Sequence, residues 1–463
     1  MGAFNKLFGR LRLTSDVNVA TQTTTVIQTD TTNSNLAIVP NGTGALIADI
    51  PDDTSTGGNA RGQNAVDLQS FRSGASSVAS GTFSVLSGGA YNTSSGSSST
   101  VVGGQGNVAS GTSSIAGGSD SNASNQFSIA FGYLNNSSGE GGTISGGRSN
   151  TASSSYSTVS GGQSNTASTN THATVVGGQT NTSSGQHSVS GGQGNTASST
   201  RAVAIGLSNI ASGIGASVAI GNSNSASADS AVAIGRQNTA SNVFSCAFGS
   251  FNNVSGVGSV AVGNNNTISG SYGFSLGRST SVTSPESGTA IGLGSTSYLY
   301  AQSALASGTF TGQIATQQSL LTARQEAILT TGGTAVLSLD GTGVTNLIIP
   351  TGTSRMWNVQ VRWVAVVTNI TGTATGVTGG DTKVSTDLLA VAKRAGTTTV
   401  SAHTSAGTHA IETIAGSLTL ANIAYTAGAS QEMAITFTGP TFAGGGSVTM
   451  RIVAAISLTE VSY

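Results

Sequence analysis

Few residues of this chain have the type and spacing to do chemistry. Cys246 is the lone cysteine of 463 residues. It occupies a place that other copies of a surrounding repeat give to an inward valine, which predicts a packed thiol, and one cysteine forms no disulfide within its own chain. His172 and His187 lie one repeat apart but at different offsets from their closing glycines, Gly178 and Gly192, so a stacked metal ladder is not expected. His403 and His409 share a loop in which several chains together could hold a metal, although solvated imidazoles are the simpler expectation. The run Gly191-Gly192-Gln193-Gly194 lacks the lysine and helix of a phosphate loop. Asp340, Asp381, Asp387, Glu412, Glu432 and Glu460 are too scattered to nominate the carboxylate pair of a glycoside hydrolase. No catalytic, cofactor-binding or metal residue is assigned, no receptor-contact residue is singled out, and the chain is expected not to be an enzyme.

What positions these residues is a repeat. A cassette closes on glycine every 14 to 16 residues, from Gly89 and Gly104 through Gly147, Gly162 and Gly178 to Gly277 and Gly292. Three residues before the closing glycine stands an apolar residue in most copies, as at Val101, Ile115, Ile144, Val159, Val175, Val189, Val203, Val218 and Val232. Three residues after it stands asparagine, as at Asn92, Asn107, Asn165, Asn181, Asn195, Asn209, Asn224, Asn238, Asn252 and Asn266. Self-similarity at this period means stacked coils. It argues against a flexible Ser/Gly linker, which has no reason to keep a β-branched residue and an asparagine in phase.

A coil of about 14 residues encloses one small apolar side chain per strand, and its turns need Gly or Asn where φ is positive. Successive coils pair as parallel strands about 4.8 Å apart, so fifteen of them predict a rod of roughly 70 Å. Equivalent asparagines then sit one above another as amide ladders. Only eight charged residues lie between Ser76 and Gly292, and so thin a coil buries little apolar area. Ile205, Ile220 and Ile234 are therefore expected to face other chains, with parallel threefold association as the simplest closed arrangement.

The stretch from Ser217 to Ser227, with Val218-Ala219-Ile220-Gly221-Asn222 at its centre, and its neighbour Ala231-Val232-Ala233-Ile234-Gly235 resemble the head repeats of YadA-type trimeric autotransporter adhesins. That resemblance implies a left-handed parallel β-roll that trimerises and binds host surfaces. The earlier copies read Ser-Gly-Gly where that family has Ala-Ile-Gly. Residues 35–44 and 58–69 (Gly-Asn-Ala-Arg-Gly-Gln-Asn-Ala-Val-Asp-Leu-Gln) resemble the virion-proximal part of bacteriophage tail fibres. Residues 300–308, with Leu321-Thr322-Ala323-Arg324, resemble the junction of such fibres with a C-terminal β domain. No signal-peptide run and no apolar stretch of membrane-spanning length is present, which sets the chain apart from a bacterial autotransporter.

Outside the repeat, Phe4, Leu7, Phe8 and Leu11 recur at helical spacing opposite Lys6, Arg10 and Arg12, predicting a short amphipathic tether. Residues 14 to 50 alternate Thr with Val or Ile as extended strands, and Asp49, Asp52 and Asp53 read as a solvated turn beside Pro51. Ile314, Leu321 and Ile328 fall seven apart, which suits helical turns in a neck. Beyond it the period becomes two. Trp357, Val359, Val361, Trp363, Ala365 and Val367 share one face; Met433, Ile435 and Phe437 a second; Val448, Met450, Ile452, Ala454, Ile456 and Leu458 a third. Val336 to Leu339, Leu347 to Ile349 and Leu418 to Leu420 complete an expected antiparallel sandwich of jelly-roll type.

The expected organisation is a virion-attachment region at 1–75, a β-roll shaft at 76–296, a neck at 297–330 and a β-sandwich tip at 331–463. The loops at 369–383 and 394–410 are the expected recognition surface. Net charge near −1, without a basic cluster beyond the first dozen residues, speaks against nucleic acid. The chain is thus expected to be a homotrimeric phage tail fibre without cofactor, mounted on a tail, baseplate or portal-adaptor protein and binding host lipopolysaccharide or another surface glycan. A cell-surface adhesin, a glycan-degrading tailspike and a capsid-decorating head fibre are the alternatives.

Overall fold

The computed structural model describes residues 42–310 without a break and, outside that span, residues 11–17, 23–29, 314–330, 333–336, 338–339, 355–371, 382–394, 397–401, 412–415, 422–427, 433–438 and 446–462. Among the described residues every regular element is a strand. They divide into two units, Met1–Ser137 and Ser138–Tyr463.

In the first unit, Leu11–Val17 and Thr23–Thr29 pair antiparallel. Leu11 and Arg12 thus lie on a strand rather than on the predicted amphipathic helix, as their threonine- and valine-rich partners favour. The other members of that pattern, Phe4 to Arg10, lie outside the described residues. Parallel coiling begins at Leu46–Ile47, which pairs with Val66–Asp67, and that with Val85–Leu86. Coils therefore start ahead of residue 76. Thr100–Gln105, Ile115–Ser119 and Ile129–Tyr133 continue this row, while Thr93–Ser94, Val108–Ala109, Asn122–Ala123 and Asn136–Ser137 form a second.

The second unit repeats both rows. Val203–Leu207, Val218–Asn222, Val232–Arg236, Cys246–Ser250 and Val260–Asn264 stack with alanine on alanine and glycine on glycine. The interior is filled by methyl-sized groups: Ala204, Ala219, Ala233, Ala247 and Ala261 from this row face Ala211, Ala226, Ala240 and Val254 of the other, all without exposed surface.

One expectation needs correction here. In these coils the alanine points inward and the preceding valine, at Val203, Val218 and Val232, is only half-buried. In Thr158–Val159 and Thr174–Gln179 it is Val159 and Val175 that are buried. Counting back from glycine merges the two positions because Thr174–Gln179 carries an extra residue, shifting register between Val175 and Gly178, as a β-bulge does.

Past the last coil the parallel sheet runs into an antiparallel one. Ser303–Phe310 pairs parallel with Thr289–Leu293 and antiparallel with Ile314–Thr330. Next come Ser447–Ser462, Arg355–Thr371 and Thr382–Arg394 in that order. Ile314, Leu321 and Ile328 therefore belong to a strand and not to a helical neck. An odd spacing sends strand residues to opposite faces, and Leu321 is buried while Ile328 is 72% exposed. The predicted face from Val448 to Leu458 is buried at every second residue, with Arg451, Val453 and Ala455 exposed between. Thr334–Val336, Met433–Thr438 and Asn422–Ala427 form a separate antiparallel sheet. The side chains of Trp357 and Trp363, the segments 347–349 and 418–420, and the loop stretches 372–381 and 402–410 lie outside the described residues.

Candidate functional site

The coil stack presents its side chains in columns, and each column does a different job. The innermost is the asparagine ladder. Asn209 donates from Nδ2 to Ile205 O at 3.0 Å within its own coil and to Gly221 O at 2.7 Å in the next, while its Oδ1 accepts from the backbone N of Asn224 at 3.0 Å and from Asn224 Nδ2 at 2.9 Å. The same pattern recurs from Asn181 to Asn252. These amides are fully buried, so each must satisfy its own hydrogen-bonding groups, and a neighbour at the same address provides the partners. The glycine beside them is required. A Cβ on Gly206, at φ of 120°, would stand 2.1 Å from Gly221 O.

In the first unit, a charged cluster stands beside the earliest bond of this kind. Gln69 Oε1 accepts from the backbone N of Asn92 at 2.8 Å, as an asparagine does in later coils. Beside it Arg61 Nε meets Asp67 Oδ2 at 2.7 Å, Arg72 Nη2 approaches the same oxygen at 3.6 Å, and Arg72 Nη1 pairs with Asp49 at 2.8 Å. Arg61, Asp67 and Arg72 side chains are essentially inaccessible. Asp49 is thus an ion-pair partner and not part of a solvated turn. Asp52 does cap an exposed turn, accepting from Thr54 N and Thr54 Oγ1, and these bonds hold its carboxyl below the usual range. Sequence reading passed over this cluster. Its signal was three charged residues within twelve positions of a chain that is only 7% charged.

In the second unit the last ladder bonds are made without charge. Thr280 Oγ1 donates to Asn266 Oδ1 at 2.6 Å. Gln317 then bonds both N and O of Thr296 at 2.8 Å, and Gln302 and Gln317 both donate to Ser319 Oγ.

The outermost column lies on the turn before each long strand, where backbone φ is positive. Tyr156 N donates to Glu140 O, His172 N to Ser155 O, His187 N to Thr171 O and Arg201 N to Gln186 O. Gly141, Tyr156, His172, His187 and Arg201 are therefore equivalent positions of successive coils. His172 and His187 share one register after all. The offset between them disappears because the residue added in the longer coil is absorbed as the bulge before Gly178. Their rings stack at 4.8 Å, and Tyr156 stacks on His172 at 5.3 Å. Tyr156 Oη donates to Glu140 Oε1 at 3.2 Å, and that bond with the carboxylate charge pushes the phenol up. Parallel rings point their nitrogens side by side rather than at one ion, and no group of three or more metal-ligating side chains occurs among the described residues.

The third column is the outward face of the long strands. Ile205, Leu276 and Leu305 are 39%, 41% and 43% exposed, in line with Ile220 and Ile234. Cys246 belongs to this face, in register with Val232 and Val260, whereas Ala247 takes the interior. The thiol is not inward as the cassette suggested, yet partial burial pushes it up and away from the reactive thiolate,.

Of the C-terminal carboxylates, Asp387, Glu412 and Glu460 lie on three separate strands; Asp340, Asp381 and Glu432, with His403 and His409, fall outside the described residues. No protein-family model and no curated protein matches the chain. Among solved structures, the tailspike protein of Acinetobacter phage vB_ApiP_P1 is similar at 9% identity, covering 88% of this chain and 78% of that one with a TM-score of 0.19.

Proposed function

We propose that this protein is a phage tail fibre that works by binding and not by catalysis. Three copies associate in parallel along the outward apolar face, residues 1–75 mount the fibre on a tail, baseplate or adaptor protein, and a bacterial surface glycan is the target. In this reading the shaft coils are left-handed and the C-terminal strands form a sandwich of jelly-roll type. The observation that carries it is the in-register stack itself: a ladder of buried amides with a strip of partly exposed Val, Ile and Leu along its outward strand face and turns that are almost uncharged. A strip of that kind suits identical partners lying side by side, and the uncharged turns suit a hydroxyl-rich ligand over an ionic one.

Full-length protein should sediment as a trimer and bind lipopolysaccharide coated on a surface, tested across a panel of bacterial strains, without release of reducing ends. A monomer, or reducing sugar that accumulates with time, overturns the proposal; the second result would identify a tailspike that cleaves its receptor.

A further inference from the structure

The turn column carries an aromatic residue in five coils: Phe83, Phe127, Tyr156, Phe244 and Tyr272. All five have φ between 54° and 58°, a conformation that any residue with a Cβ adopts at a cost. All five are also half-exposed, from 50% to 59%. Other coils place Ser98, Ser113, Ser230 or Ser287 in the same column, so the fold does not need a ring there. Rings held in a strained backbone and turned to water gain nothing for stability, which is the mark of a displayed surface.

Within the second unit, one stretch is shaped to receive a ligand. Phe244 N donates to Asp229 O, Gly258 N to Val243 O, Tyr272 N to Val257 O and Ser287 N to Ser271 O. Ser230, Phe244, Gly258, Tyr272 and Ser287 thus follow one another coil by coil. Phe244 and Tyr272 are two steps apart, about 9.6 Å on strand spacing, with only a glycine between. The Tyr272 ring leans back over that glycine, its carbons 2.9 and 3.1 Å from where a Cβ at 258 would stand. One coil before Phe244, on the side away from Gly258, the Asp229 carboxylate accepts from Ser230 Oγ at 2.9 Å.

We propose that Phe244, Gly258 and Tyr272 form a contact site for an uncharged saccharide chain lying along the coils. It rests on the reading of the protein as a glycan-binding fibre and moves a contact from the C-terminal loops to the shaft. The two rings offer apolar faces to the C–H faces of pyranose units. Asp229, Ser230 and Ser287 offer hydrogen-bonding groups to hydroxyls, and the Asp229 carboxylate disfavours an anionic polymer at this place,.

The test uses full-length protein and immobilised maltoheptaose, laminariheptaose and chitohexaose, with dextran sulfate as the charged control. At least one neutral oligosaccharide should bind, and the double variant Phe244→Ser with Tyr272→Ser should weaken it about tenfold or more. Its thermal transition should be unchanged, since serine already occupies this column. Gly258→Tyr, whose Cβ would collide with the Tyr272 ring and turn it aside while adding a ring, should weaken binding as well. Equal binding by wild type and variants, no binding to any neutral oligosaccharide, or preference for dextran sulfate overturns the inference. If the double variant binds lipopolysaccharide like wild type, the shaft site fails while the fibre reading stands; if wild type binds none, the fibre reading fails.

Discussion

The two units close their coils on buried polar side chains of opposite kinds. In the first, Arg61, Asp67 and Arg72 bury an ion-pair cluster beside Gln69. In the second, Gln302, Gln317 and Ser319 meet through neutral amides and a hydroxyl. A terminal coil exposes backbone groups that invite another strand, and a sheet edge of that kind must be blunted or covered. Buried charges serve the first unit, where Leu46–Ile47 already covers Val66–Asp67 and each charge must find its partner inside the coils,. Amides serve the second, since the chain continues from there as Ser303–Phe310 and then as an antiparallel sheet.

The contrast can be broken first at the charged cluster. Asp67→Ala leaves the buried Arg61 guanidinium without its carboxylate and Arg72 with Asp49 alone, and should cost about 3–5 kcal/mol. Because coils stabilise one another only locally, the loss should appear in hydrogen exchange as faster exchange across residues 46–94, with later coils unaffected. Asn209→Ala tests the ladder inside the second unit. It strands Ile205 O, Gly221 O and the backbone N of Asn224, and about 2–3 kcal/mol should be lost, seen as local exchange on both sides of residue 209. Gln317→Leu keeps the volume at the neutral cluster but removes the bonds to Thr296 and Ser319; about 1–2 kcal/mol is expected, and a loss as large as that for Asp67→Ala would erase the distinction drawn here.

The smallest effect concerns Cys246. Burial favours its neutral form, so the folded-state pKa lies above the unfolded value. Any stability linked to this group is complete below the unfolded pKa and is lost as pH rises through the folded one. Alkylation of the native protein at pH 8 should therefore run slower than that of a free thiol and approach it only in alkali, as timed mass spectrometry would record.

Much of this was legible in the sequence. Period and phase alone gave parallel coils and stacked asparagines, because a ladder that must bury its amides leaves no freedom in spacing. The alternation from Val448 to Leu458 was readable for the same reason. What escaped was whatever depends on one residue more or less. The inward and outward rows were merged, Cys246 was placed on the wrong side, and the two histidines were set out of register, all through a bulge that leaves no mark in composition. The spacing of Ile314, Leu321 and Ile328 resembles a heptad by coincidence; the hairpin with Ser303–Phe310 and the partner strand Ser447–Ser462, more than a hundred residues away, decide that segment. Arg61, Asp67 and Arg72 went unnoticed because nothing local shows that distant backbone closes over them.

The bulge before Gly178 has one more consequence. The residue it stores is shared by a run of coils, since Ile144, Val159 and Val175 and then Arg148, Gln163 and Gln179 stay in register, and where the run ends the glycines Gly178 and Gly192 still pair. A coil is therefore an exchangeable part. Slippage during replication that duplicates or drops one whole cassette would lengthen or shorten the ladder by about 4.8 Å and demand no compensating change elsewhere, so the number of coils is free to drift under selection for reach alone.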